Sequence, residues 1–218
     1  VAPSATTADG VTQGIHYTSH AEKPDLLLSL LKADQDTALV FTRTKHRADR
    51  LGRMLGGAGH RVAVLHGDRS LSQRRAALEG FRRGSFRVLV ATDIAARGID
   101  VANIGHVINF DLPNCPEDYV HRIGRTARMK TTGRATSFVT GEDRQQLRDI
   151  ERLLGHAVPL APGSGTSLPA IQGDDSSAHR DERSAPSRSR FANRHRRPNP
   201  RVAHAGPSLR NASPAIRA

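Results

Sequence analysis

Between residues 11 and 160 the spacing of apolar positions switches repeatedly between a period of two and one near 3.6. Val11, Gln13, Ile15 and Tyr17 alternate as a strand does, and 22–32 then places Leu26, Leu27, Leu30 and Leu31 on one helical face. The run TALVF (37–41) predicts a short buried strand. A helix over 48–55 turns Leu51, Met54 and Leu55 inward and ends at the Gly56-Gly57 pair. The same alternation predicts strands at 62–65, 87–91, 105–110 and 133–139, with helices at 71–81, 116–123 and 142–154. Pro116 suits a first helical turn, where its missing N–H costs nothing. Strands of about five residues between helices of about ten predict βαβ units, hence an α/β domain over 11–160 with a mainly parallel central sheet covered on both faces.

The pattern fails at both ends. Residues 1–10 hold nothing to pack and read as a disordered remnant of a linker. The segment 161–218 carries ten arginines against four acidic residues, seven prolines and a single aromatic, Phe191. It cannot bury enough apolar area to offset about 1–2 kcal/mol of backbone ordering per residue, so a disordered Arg/Pro/Ser-rich basic tail is expected. The whole chain of 218 residues has 33 Lys+Arg against 21 Asp+Glu, a net charge of +12, which points to a polyanionic partner. The lone Cys115 excludes a disulfide framework and a cysteine-based zinc site. No apolar run approaches the roughly 20 residues that span a bilayer, and no signal-peptide core opens the chain, so a cytoplasmic protein with no membrane partner is expected. The chain begins at Val1, as a fragment of a longer protein would.

In open parallel sheets ligands collect at the carboxyl ends of strands. Three predicted strands run there into polar or basic loops: Thr42-Arg43-Thr44-Lys45, His66-Gly67-Asp68-Arg69 and Thr92-Asp93. Hydroxyls, a glycine amide and guanidiniums side by side are the groups that hold a phosphodiester backbone without reading bases. Further along, Arg122, Arg125 and Arg128 recur at spacings of three, which on a helix or tight turn makes them neighbours on one face. Like charges so close repel unless an anion lies between them.

VLVATDIAARGID (88–100) and YVHRIGRTAR (119–128) closely resemble the fifth and sixth motifs of the DEAD-box RNA helicases. ALVFTRTKHRADRL (38–51), HGD (66–68) and VINFDLP (107–113) resemble further blocks of that family, in collinear order from about Thr12 to Leu154. The resemblance implies a three-layer RecA-like fold, the second of two such domains. It implies that Arg125 and Arg128 reach the γ-phosphate of ATP, that Asp100 contacts the ribose and that Gly98 also lies at the nucleotide. Thr92, Asp93, Arg97 and Gly98 would line the RNA path, joined by Arg43, Thr44, Gly67 and Arg74, while His121 and Arg122 face the first domain. ATP with Mg2+ is the implied cofactor, the metal held mainly by that first domain. RNA and the N-terminal RecA-like domain are the implied partners.

Two positions depart from the family pattern. Leu71 stands three residues before Arg74, where a glutamine is usual, with Gln73 out of register. Ala127 replaces the second glycine of the sixth motif, a change disfavoured only at positive φ, so function is expected to survive it. The chain has no Gly-Lys pair, hence no G-x-x-x-x-G-K-[ST] phosphate loop, and no Asp-Glu-Ala-Asp tetrad. The expectation is the C-terminal half of an ATP-dependent RNA helicase, an enzyme when joined to its first domain and without meaningful ATPase activity alone. A stand-alone RNA-binding or RNA-chaperone module working through the basic tail is the alternative.

Overall fold

The computed structural model describes residues 10–96, 104–127 and 132–165. They alternate strand and helix: β1 (Val11–Tyr17), α1 (Lys23–Ala33), β2 (Ala38–Phe41), α2 (Lys45–Gly57), β3 (Val62–Leu65), α3 (Leu71–Arg82), β4 (Val88–Ala91), α4 (Asp93–Ala96), β5 (His106–Asn109), α5 (Pro116–Ile123), β6 (Gly133–Val139) and, after a 3-10 turn at Gly141–Asp143, α6 (Arg144–Leu154). The six strands form one sheet in the order β1-β6-β5-β2-β4-β3, and every pairing is parallel. This is the RecA-like α/β fold that the resemblance implies. Among the described residues no helix is long and apolar enough to cross a membrane.

Alternation along each strand makes three layers, because successive side chains point to opposite faces. Leu39, Phe41, Leu65, Leu89, Val107 and Ala135 meet α3, α5 and α6 on one face. Ala38, Val40, Val88, Val90, Ile108 and Phe138 meet α1 and α2 on the other. The four-residue strands β2 and β4 are buried at every position, which is why they read as apolar runs rather than alternating ones.

Helix ends differ from the expected ones for local reasons. Helix α2 starts at Lys45, three residues early, because the Thr44 hydroxyl accepts the Arg47 N–H at 3.2 Å and fixes the first turn. Gly56 and Gly57 lie inside its last turn rather than beyond it. Helix α3 begins with a capping box: the Ser70 hydroxyl accepts the Gln73 N–H at 3.2 Å, and the Gln73 carboxamide oxygen accepts the Ser70 N–H at 3.0 Å. The expected helix over 142–154 opens as the 3-10 turn, held by Asp143 accepting the Thr140 N–H and hydroxyl at 3.0 and 2.7 Å.

At the amino ends of the strands, His106 is buried between Asp34 (Nδ1 to Oδ2, 3.2 Å) and the Thr136 hydroxyl (Nε2, 2.8 Å). Burial pushes its pKa down to about 4, against which a nearby Asp36 carboxylate acts only partly. The unfolded chain, with the ordinary value of 6.5, therefore binds this proton first as pH falls. The stability contributed by neutral His106 is complete above about pH 6.5 and is lost toward pH 4, with a slope of up to about 1.4 kcal/mol per pH unit. Denaturant midpoints between pH 7 and 5 should show this fall, and His106→Gln, which keeps a hydrogen-bonding group toward Thr136, should flatten most of it.

Candidate functional site

Because every strand is parallel, the carboxyl ends of β5, β2, β4 and β3 present their loops next to one another in that order. Arg43 and Thr44 leave β2, Thr92 and Asp93 leave β4, and His66 to Arg69 leave β3. The sequence motifs at these places are thus brought together by topology.

The loop after β2 is fixed from below. Asp111, which follows β5, accepts the Arg43 backbone N–H at 3.0 Å through Oδ2 and the Arg47 guanidinium at 2.6 Å through Oδ1. Beneath them Lys23, 1% exposed, donates to the Phe110 carbonyl at 2.9 Å and stands 3.6 Å from Asp111 and 3.7 Å from Asp143. Burial lowers the Lys23 pKa in spite of both carboxylates. Burial works the other way on Asp143, but the Thr140 N–H, the Lys23 ammonium and Arg43 outweigh it and hold that carboxyl below its ordinary value. Arg43 reaches Asp143 and the Leu112 carbonyl, each at 3.4 Å, while its side chain stays 39% exposed. The loop's cation is therefore aimed by an internal network and still open to solvent. Lys23, Asp111 and Asp143 were not foreseen. The one available signal was Asp111 inside VINFDLP; Lys23 and Asp143 come from segments without a motif.

The loop after β3 is held by Asp49 of α2, which accepts from Arg69 at 2.6 Å and faces His66 Nε2 at 3.0 Å. Those contacts keep the Asp49 carboxyl below its ordinary pKa, although burial opposes them. Gly67 is exposed, and a Cβ built on it meets nothing within 4 Å. Among the described residues no packing requires glycine there. Arg74, one turn into α3, is half-buried and its guanidinium has no ion pair or hydrogen bond among the described residues. Leu71, at the position of the usual glutamine, is 63% exposed, and the carboxamide of Gln73 is taken up by the helix cap.

The loop after β4 is tied to α5. Arg122 is 2% exposed; it donates to Asp93 through Nε and Nη2 at 2.6 and 2.7 Å, to Asn109 at 3.0 Å and to the Asp111 carbonyl at 2.7 Å. Its guanidinium also lies 4.8 Å from the centre of the Phe41 ring. The expectation that Arg122, Arg125 and Arg128 share one face does not hold for the first two. Helix α5 ends at Ile123, so Arg122 points into the domain while Arg125 lies beyond, on a turn closed by its own N–H to the Arg122 carbonyl at 3.1 Å. Thr126 anchors that turn, its buried hydroxyl donating to the Ile104 carbonyl. His121 is exposed on the last turn of α5, 3.8 Å from Asp118. Arg97, Gly98, Asp100 and Arg128 lie outside the described residues.

Ala127 has φ +54°, the only non-glycine with positive φ among the described residues. This is the condition under which the missing glycine matters. A β-carbon in the left-handed region costs about 1–2 kcal/mol. Ala127→Gly should therefore raise stability by about 1 kcal/mol, or roughly 2–4 °C in Tm, in differential scanning calorimetry; an unchanged or lowered Tm would show that the alanine is not strained.

Residues 22–130 match the family described as helicase conserved C-terminal domain. Among curated proteins the chain is similar to the ATP-dependent RNA helicase RhlB of Shewanella piezotolerans, 43% identical over 169 residues, covering 77% of this chain and 39% of that protein. The chain thus spans about two fifths of the length of the curated relatives it matches. Among solved structures it is similar to the Escherichia coli DEAD-box protein SrmB in its complex with regulator of ribonuclease activity A, with 34% identity and a TM-score of 0.67, covering 73% of this chain and 96% of that one. It is also similar to Saccharomyces cerevisiae Dbp5 bound to RNA and ADP BeF3, at 34% identity and a TM-score of 0.62, covering 68% of this chain and 41% of that one. A strand-helix order matched over most of the domain, together with the fifth and sixth motifs at adjoining loops, makes this chain a member of the helicase C-terminal domain family, of the DEAD-box RNA helicase kind.

Proposed function

We propose that the chain is the second RecA-like domain, spanning about residues 11–160, of an ATP-dependent RNA helicase. It holds one side of an RNA backbone groove and supplies arginines to ATP bound chiefly by a first domain of the same protein. The observation that carries this reading is the Arg122–Asp93 ion pair. It locks the loop after β4, on the RNA side, to the turn bearing Arg125, on the nucleotide side, so neither moves without the other. Arg43, Thr44, Gly67, Arg74 and Thr92, with Arg97 and Gly98, are assigned to the phosphodiester backbone. Asp100, Gly98, Arg125 and Arg128 are assigned to ATP, and exposed His121 to the first domain. ATP supplies the phosphoryl group whose transfer drives the cycle, with Mg2+ held mainly by the first domain; this chain's part is to place cations where negative charge develops. Hydrolysis then depends on closure of two domains, and RNA that bridges them favours the closed state. The basic segment 161–218 adds a sequence-independent grip; if it neutralised about six phosphates of a single strand, the slope of log K against log salt would be near −4. The similarity of this domain to Dbp5, solved with RNA and ADP BeF3, supports the assignment.

Gly67 offers a test that separates binding from folding. Because a Cβ there meets only open space, Gly67→Ala should leave stability unchanged or slightly raised through a stiffer unfolded chain. If an RNA backbone lies against that glycine, the added methyl should weaken single-stranded RNA binding about three- to tenfold in anisotropy titrations, a loss of roughly 1 kcal/mol. Unaltered affinity for RNA would remove the loop after β3 from the groove.

A further inference from the structure

Two helices, α1 and α2, cover the sheet face that carries Val40, Ile108 and Phe138, whereas three cover the other. The shortfall shows at the edge, where β1 and β6 meet the C-terminal end of α1 and the segment Pro159–Pro162 that runs beside β1. A cavity of about 440 Å³ opens there. Leu30, Ala33, Pro159 and Leu160 make its walls, and Gly14, which adds no side chain, lets Ala161 pack closely against β1. None of the strand-end loops described above lines it. Its volume and its mostly apolar lining with a few polar groups are those of a small-molecule site.

His16 decides the chemistry. It lines the cavity, is 6% exposed, and stands edge-on to Phe138 with ring centres 6.3 Å apart. Unlike His106 at the other end of the same cavity, whose two nitrogens both have partners, the His16 imidazole has no hydrogen bond among the described residues. Its nitrogens are not sealed off from solvent, so they face the cavity and are available to a molecule that enters it. Burial lowers its pKa, so at neutral pH it offers one donor and one acceptor. The charged groups at the cavity are already spent: Asp34 is engaged by Arg134 and faces His106. Among the described residues that line it, the cation Arg134 is paired with a carboxylate and the carboxylate Asp34 with a cation, which leaves a phosphate, a carboxylate or an amine without an unpaired counter-charge.

We propose that this cavity binds a small, uncharged, mostly apolar molecule whose single hydrogen-bonding head pairs with the His16 imidazole. The site is separate from the edge assigned to RNA and ATP and does not rest on that assignment. Its test is a titration of the isotope-labelled 218-residue chain with benzamide, and in parallel with benzoate, which has the same ring and a negative charge. The amide should shift the His16 ring resonances saturably with a Kd at or below about 1 mM, as suits a fragment-sized ligand, while the backbone amides of Thr44 and Gly67 stay in place. The carboxylate should bind at least about tenfold more weakly, since no cation awaits it. Ala33→Trp, on the exposed rim, should fill the mouth and abolish the shift, and Thr12→Trp repeats the test from the other side of the opening. No saturable shift up to about 10 mM amide, equal binding of the two probes, or binding that survives both tryptophans would overturn the proposal.

Discussion

Arg125→Ala, made in the protein that joins this domain to its first RecA-like domain, is expected to lower kcat for RNA-stimulated ATP hydrolysis by about 10³–10⁵, with the Kd for RNA within about threefold. That loss corresponds to about 4–7 kcal/mol of transition-state stabilisation. The size follows from where the charge acts. Phosphoryl transfer leaves little covalent work for a protein, and a guanidinium at the γ-phosphate is effective because it is placed before the reaction begins. Under the proposed assignment that placement falls to the turn bearing Arg125, whose root is the buried Thr126 hydroxyl bonded to the Ile104 carbonyl. Arg125→Lys should rescue little, because a flexible ammonium does not reproduce a planar two-pronged donor. Arg128→Ala should behave in the same way. Single-turnover hydrolysis beside RNA anisotropy separates the two effects. A kcat that hardly moves removes these arginines from the nucleotide; RNA affinity that collapses along with kcat makes them groove residues instead.

The second large effect is on folding. Arg122→Met should destabilise the domain by about 3–5 kcal/mol, because it strands buried partners rather than merely deleting a contact. At roughly 2–4 °C per kcal/mol for a domain of this size, Tm should fall by about 6–20 °C. Four hydrogen bonds go at once: two to Asp93, one to Asn109 and one to the Asp111 carbonyl. The Asp93 carboxylate is then left without its guanidinium partner. Asp93→Asn in the Arg122→Met background should therefore recover part of the loss, a sign of coupling between the two sites. A Tm for Arg122→Met within about 3 °C of the parent chain would show that this ion pair does not hold the loop after β4. Both substitutions concern the sixth motif, yet they should fail differently, one in rate with the fold intact and the other in the fold itself.

Much of the architecture was readable in the chain. Strands with apolar runs such as ALVF (38–41) and VLVA (88–91) are buried on both sides, and helices of about three turns between them leave a parallel sheet as the arrangement that satisfies every backbone group. The loops at the strand ends were readable for the same reason, since parallel strands must deliver their carboxyl ends to one edge. Helix boundaries were less so: Thr44 and Ser70 cap helices by hydrogen bonds that an apolar period does not register. Spacing misled most at the arginines. A period of three between Arg122 and Arg125 implies a shared face only while the helix continues, and α5 stops at Ile123.

By itself, then, the order of residues determined the sheet, its layers and the family, because hydrophobic period and motif wording are local properties of the chain. Only the tertiary structure decided that Lys23, Asp111 and Asp143 aim Arg43, that Arg122 is spent inside the domain, that Ala127 sits at positive φ and that His16 faces a cavity unpaired. Each of these depends on groups from distant segments meeting at low dielectric, where a charge or an imidazole must find a partner. Sequence distance carries no information about which partner that will be.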